Sequence, residues 1–148
     1  GHTGMAGGQM MDIAAERASE PFDLPTVTRL QQLKTGALLA AAVEMGAILG
    51  RVSGESRAPL RAYARDIGLA FQIADDLLDH EGDEAKAGKA LRKDEVAGKA
   101  TFVSLMGADQ ARAQADALVS QAIAHLAGFG EGAELLRALA RFVVERDR

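Results

Sequence analysis

The nine residues Phe71-Gln72-Ile73-Ala74-Asp75-Asp76-Leu77-Leu78-Asp79 constrain this chain more than any other stretch. Wound as a helix at about 100° per residue, they place Gln72, Asp75, Asp76 and Asp79 in one polar sector about 100° wide. Ile67, Phe71, Ala74 and Leu78 form another face, and Leu69, Ile73 and Leu77 fill much of the rest. A helix apolar over that much of its surface packs in an interior. Its three carboxylates then face a cavity and one another. Repulsion at about 5–6 Å in partly desolvated surroundings costs several kcal/mol unless a cation neutralises it. A divalent metal meets that need with oxygen ligands. On a surface helix the same acids would be only a solvated stripe, and the apolar neighbours argue against that.

The chain around this helix is expected to be all-α. Only 4% of its 148 residues are aromatic and three are Pro, while Ala and Leu recur in every segment, so no strand is expected. With 48% hydrophobic and 26% charged residues there is enough apolar material for one domain with a core. The absence of Cys removes disulfides and thiolate metal sites and fits a reducing cytoplasm. A net charge of −4 without a basic stripe argues against a nucleic-acid partner. The longest apolar run, 37–50, is broken by Glu44 and is too short for a membrane span.

Residues 5–18 form a predicted helix with Met, Ile and Ala on one side and Gln9 and Asp12 on the other. Gly7 and Gly8 weaken it but permit the close approach of a neighbouring helix or ligand. Pro21 and Pro25 mark a loop, and Thr26 is the expected N-cap of a helix over about 27–50. Lys34 lies in the Ala-rich part of that helix, where an ammonium pays a desolvation cost unless it meets an anion. Gly36 predicts a local kink that turns Thr35 into the cavity.

Pro59 suits the first turn of the central helix, about 59–80. Residues 81–99, with three Gly, five acids and five bases, are expected to be a loop or lid whose Lys89, Lys93 and Lys99 swing over the site. Two amphipathic helices, 100–127 and 131–146, follow on either side of Gly128-Phe129-Gly130. Their expected core residues are Leu118, Ile123, Leu126, Leu135, Leu139 and Phe142. His80 and His125 have no second His at ligand spacing, and the Met residues are expected to fill gaps in the core.

The acidic stretch resembles the second aspartate-rich motif of the trans-isoprenyl diphosphate synthases, which include farnesyl and geranylgeranyl diphosphate synthases. Gly8-Gln9-Met10-Met11-Asp12, Lys34-Thr35-Gly36, Gly88-Lys89, Lys93-Asp94 and Gly98-Lys99-Ala100-Thr101 also resemble that family in order and spacing, most closely its bacterial short-chain branch. The resemblance implies an isoprenoid-synthase-type helical bundle. It also implies a transferase that condenses an allylic diphosphate with isopentenyl diphosphate to a C15 or C20 product, with Mg2+, or Mn2+, held by Asp75, Asp76 and Asp79. Lys34, Thr35, Gln72 and Asp75 take catalytic roles, and Gln9, Asp12, Lys34, Lys89 and Lys99 bind substrate. A cytoplasmic homodimer is implied for the full-length protein.

The family's first aspartate-rich motif and its isopentenyl diphosphate site do not occur in these residues. Residues 1–148 are therefore expected to be the C-terminal part of a single all-α domain, inactive alone. Gly1 and His2 are either native or left by cloning. Two alternatives stand beside this reading. A class I terpene synthase would carry a Ser/Thr-containing metal motif instead, and a catalytically silent regulatory homologue would have lost the acids and lysines.

Overall fold

A computed structural model of the chain describes residues 1–87 and 100–145, with backbone only for 83–87. The described residues form helices and no strand, as the composition predicts. They are α1 (Met5–Ala15), α2 (Leu24–Gln31), a π-helical turn (Gln32–Gly36), α3 (Ala37–Leu49), α4 (Arg57–Ala87), α5 (Phe102–Met106), α6 (Ala108–His125), a 3-10 segment (Ala127–Ala133) and α7 (Glu134–Glu145).

Helix α4 is the axis of the bundle and packs against α3, α5, α6, α7 and the π turn. Its buried positions Leu60, Tyr63, Ile67, Ala70, Ala74 and Leu77 recur at alternating intervals of three and four residues, the seam of a coiled-coil-like pair. α6 answers with Ala111, Ala115, Leu118 and Ala122, followed by Leu126 at its C-cap, where alanines let the two backbones approach. Contacts Arg112–Glu81 and His125–Asp66 at opposite ends make the pair antiparallel. α3 is also antiparallel to α4, with Glu44 bridging Arg57 and Arg61. Tyr63 is fully buried, and its hydroxyl donates to the Leu136 carbonyl at 2.8 Å, which joins α4 to α7.

Several local expectations change. The N-cap of α2 is Asp23, not Thr26; its carboxylate accepts from the Thr26 N–H at 3.0 Å, and Pro25 sits in the first turn. Hydrogen bonding from Thr26, side chain first and backbone second, holds the Asp23 carboxyl below its usual range. α4 continues to Ala87, so residues 81–87 are helix rather than lid. The expected helix 100–127 is two: Gly107, at φ 85°, breaks it after a capping box between Thr101 and Ser104.

Burial is also redistributed. Leu135, Leu139 and Phe142 are exposed, and α7 instead buries Ala140 and Val143. Met5, Met10 and Met45 are exposed rather than core. α1 is turned over: Ile13 is exposed, while Gly8 and Asp12 are buried against the π turn. Because α2, the π turn and α3 run on without a break, residues Leu24–Leu49 form one helical stretch with the length and mean hydropathy of a membrane span, by length and composition alone.

Candidate active site

The acidic strip of α4 meets the π turn along one edge and α5 along the other. Thr35 donates its hydroxyl to Gln72 Oε1 at 3.0 Å. Gln72 lies one turn before Asp76 on the same strip of α4. The Phe102 backbone N–H, first in α5 and without an intrahelical acceptor, donates to Asp76 Oδ2 at 2.8 Å. The Thr35–Gln72 and Phe102–Asp76 bonds, one turn apart on α4, therefore tie three elements together.

Asp75 and Asp76 are half-buried and Asp79 is exposed. Burial pushes the Asp76 carboxyl above its usual range; the bond from Phe102 opposes this, the charges of Asp75 and Asp79 add to it, and the bond from Gln72 offsets part. The strip thus holds more negative charge than its surroundings favour. Among the described residues no three His, Asp or Glu side chains converge closely enough to form a metal cage. The donor chemistry nevertheless fits a hard divalent cation: the set is oxygen only, and its mutual repulsion is what a cation would relieve.

Lys34 is the second feature. It lies inside the π turn, and its Nζ is 2.5 Å from Oδ2 of Asp12, which is 5% exposed. The anion that the sequence requires for this ammonium is supplied within the chain. A single extra residue in a helical turn widens it and pushes backbone outward, a form that recurs at functional sites. The expected kink at Gly36 is this π turn. Lys34 and Thr35 open onto a cavity of about 420 Å³ lined also by Met5, Gln9, Leu38, Leu39 and Phe71. Its walls are mostly apolar.

The structure therefore brings together Asp12 with Lys34 and Thr35 with Gln72, and it seats Asp76 against the Phe102 N–H. Gln9 is exposed at the rim of the cavity. Lys89, Lys93 and Lys99 lie outside the described residues. Sequence reasoning missed Phe102, whose role is carried by backbone alone; the start of a helix right after Thr101 was its only signal. His125 meets the buried Asp66 at 3.0 Å, so it serves the α4–α6 contact rather than a metal.

Residues 2–139 match the family model described as Polyprenyl synthetase. The chain is 43% identical over 146 residues to a dimethylallyltranstransferase of Fischerella ambigua, covering 99% of this chain and 42% of that protein. It is 40% identical to the farnesyl diphosphate synthase of Escherichia coli, covering 100% of this chain and 50% of that protein. The crystal structure of an FPP/GFPP synthase from Zymomonas mobilis superposes with a TM-score of 0.85 at 58% identity, over 97% of this chain and 46% of that one. A Helicobacter pylori geranyltransferase complexed with magnesium and isoprenyl diphosphate superposes with a TM-score of 0.71 at 29% identity, over 97% of this chain and 46% of that one. The chain thus spans about half the length of the curated relatives it matches.

Proposed function

Since this chain belongs to the polyprenyl synthetase family, we propose that its residues work in prenyl transfer, on the side of the site where an allylic diphosphate ionises. On that reading residues 1–148 form one stretch of a single all-α domain. The first acidic motif and the isopentenyl diphosphate site come from residues outside them. The observation that carries the proposal is the placement of Lys34 and Thr35 at one mostly apolar cavity, with Thr35 bonded to Gln72 of the acidic strip.

Asp75 and Asp79, with the remaining oxygen of Asp76, would hold Mg2+ or Mn2+, which when bound supplies positive charge against a departing diphosphate. Lys34, with Lys89 and Lys99, binds phosphate oxygens; Asp12 holds Lys34 in place until they arrive. Gln9 adds a polar contact at the rim. As the allylic C–O bond breaks, its electron pair leaves with diphosphate and C1 becomes cationic. Thr35 and Gln72 turn oxygen dipoles toward that cation. Met5, Leu38, Leu39 and Phe71 keep water from capturing it. The double bond of isopentenyl diphosphate attacks C1, and the released diphosphate takes the proton that is lost. The product is a C15 or C20 prenyl diphosphate, and the working protein is a cytoplasmic homodimer.

Titration calorimetry with Mg2+ and a bisphosphonate tests this. Lys34→Ala should weaken binding by roughly 1–3 kcal/mol, the range of a charge-assisted hydrogen bond. Equal affinity of the two proteins would leave Lys34 as a structural partner of Asp12 and remove the diphosphate role.

A further inference from the structure

The π turn that presents Lys34 and Thr35 is gripped between two glycines. A Cβ on Gly8 of α1 would stand 2.2 Å from the Lys34 backbone N, 2.6 Å from its Cα and 2.8 Å from the Leu33 carbonyl carbon. All three are backbone atoms of the turn, so no rotamer change could clear them. On the other side, a Cβ on Gly68 of α4 would lie 3.1 Å from the Cα of Gly36. Backbone that bulges outward from a π turn needs a neighbouring helix with no side chain opposite it. Gly8 gives α1 that surface. Asp12, one turn further along α1 and 5% exposed, is then carried to 2.5 Å from the Lys34 ammonium.

We propose that Gly8 is a positioning residue: by letting α1 close onto the π turn, it seats Asp12 against Lys34 and fixes where that ammonium stands in the cavity. This deepens the prenyl-transfer reading, on which Lys34 meets a diphosphate, although the clamp itself is a statement about this chain alone. A methyl group at position 8 drives α1 off the turn and separates Asp12 from Lys34. Gly46 of α3 provides the contrast, because a Cβ there meets no atom within 4 Å.

The test compares Gly8→Ala with Gly46→Ala in the intact chain. Trace acylation with acetic anhydride, read by mass spectrometry with the other lysines as reference, reports how well Asp12 shields Lys34. Calorimetry with inorganic diphosphate and Mg2+ reports the binding that Lys34 supports. Gly8→Ala should raise Lys34 acylation about tenfold and weaken diphosphate about tenfold, as loss of one charge-assisted contact would. The Gly8→Ala/Lys34→Ala double variant should bind no worse than Lys34→Ala, and Gly46→Ala should match wild type in both assays. Unchanged acylation in Gly8→Ala overturns the proposal. If Gly8→Ala and Lys34→Ala bind diphosphate as wild type does while acylation of Gly8→Ala still rises, the clamp stands and the diphosphate role of Lys34 falls. Should Gly8→Ala not fold, the near-isosteric Asp12→Asn decides: Lys34 acylation must rise there too, and an unchanged rate overturns the clamp.

Discussion

Asp76 Oδ2 accepts the Phe102 backbone N–H at 2.8 Å, so one of the three acids on the central strip is already engaged in joining α4 to α5. An Asn at that position keeps a carbonyl oxygen for the Phe102 N–H while it removes the charge and replaces the second oxygen by an NH2 donor. Asp75 and Asp79 lie one turn apart on the same strip, and on the prenyl-transfer reading they hold the metal. In a complete enzyme, Asp75→Asn should therefore lower Mg2+-dependent turnover by orders of magnitude and Asp76→Asn by much less. Steady-state kinetics across a magnesium titration checks the order. A greater loss at Asp76 would put the metal on the α5 side.

The same residue sets a pH dependence. Burial, with the charges of Asp75 and Asp79, raises the Asp76 pKa above its ordinary 3.8. Between 3.8 and the folded value, the native protein holds a proton that the unfolded chain has released. Stability therefore falls as pH rises through that window and stays lowered above it. Asp76→Asn should be at least as stable as wild type at neutral pH, and its advantage should shrink as pH approaches 3.8. Denaturant midpoints for both proteins across the acid range measure this. A wild type more stable than the variant at neutral pH would mean that the Phe102 bond outweighs desolvation and repulsion.

Tyr63→Phe isolates one bond. Tyr63 is 0% exposed, and its hydroxyl makes a 2.8 Å bond to Leu136. Removing the hydroxyl leaves the ring's packing intact, so the loss should be about 1 kcal/mol, or about 2–4 °C in Tm for a chain of this size. Thermal unfolding followed by circular dichroism gives the value. No shift would mean that the Leu136 carbonyl finds an equal partner elsewhere.

How far the sequence foretells this arrangement depends on how local each cause is. The strip Gln72, Asp75, Asp76, Asp79 follows from helical periodicity alone, and it lies where periodicity puts it. The π form of Gln32–Gly36 is not local, because its bulging backbone needs Gly8 and Gly68 from two other helices. α7 shows a different limit. It is apolar on two stripes, one through Leu135, Leu139 and Phe142 and one through Leu136, Ala140 and Val143. Hydrophobic spacing cannot say which one meets α4 and α6. The small Ala140 allows the closer approach, and that stripe is the buried one. In α1, Asp12 pairs with Lys34 while Met10 and Ile13 stay exposed, so the helix faces opposite to its hydrophobic side.

The exposed stripe of α7 and its counterpart on α3 lead to the last prediction. Leu38, Met45, Ile48 and Leu49 lie along α3 at helical spacing and are 55%, 59%, 53% and 84% exposed. Leu135, Leu139 and Phe142 are exposed on α7, and Leu139 and Phe142 border an apolar cavity with Leu39, Ile67 and Phe71. Monomeric soluble proteins seldom leave contiguous apolar patches beyond roughly 300–600 Å² open, because burying them gains about 25 cal/mol per Å². The 148-residue chain expressed by itself should therefore self-associate and bind a hydrophobic dye such as ANS. Replacing Met45 and Leu49 by Lys should reduce both effects while leaving the helical circular dichroism signal unchanged, since neither side chain is part of the core. Light scattering on a sizing column gives the mass of each protein. A monodisperse wild-type monomer without dye binding would show that these faces are satisfied in solution as they stand.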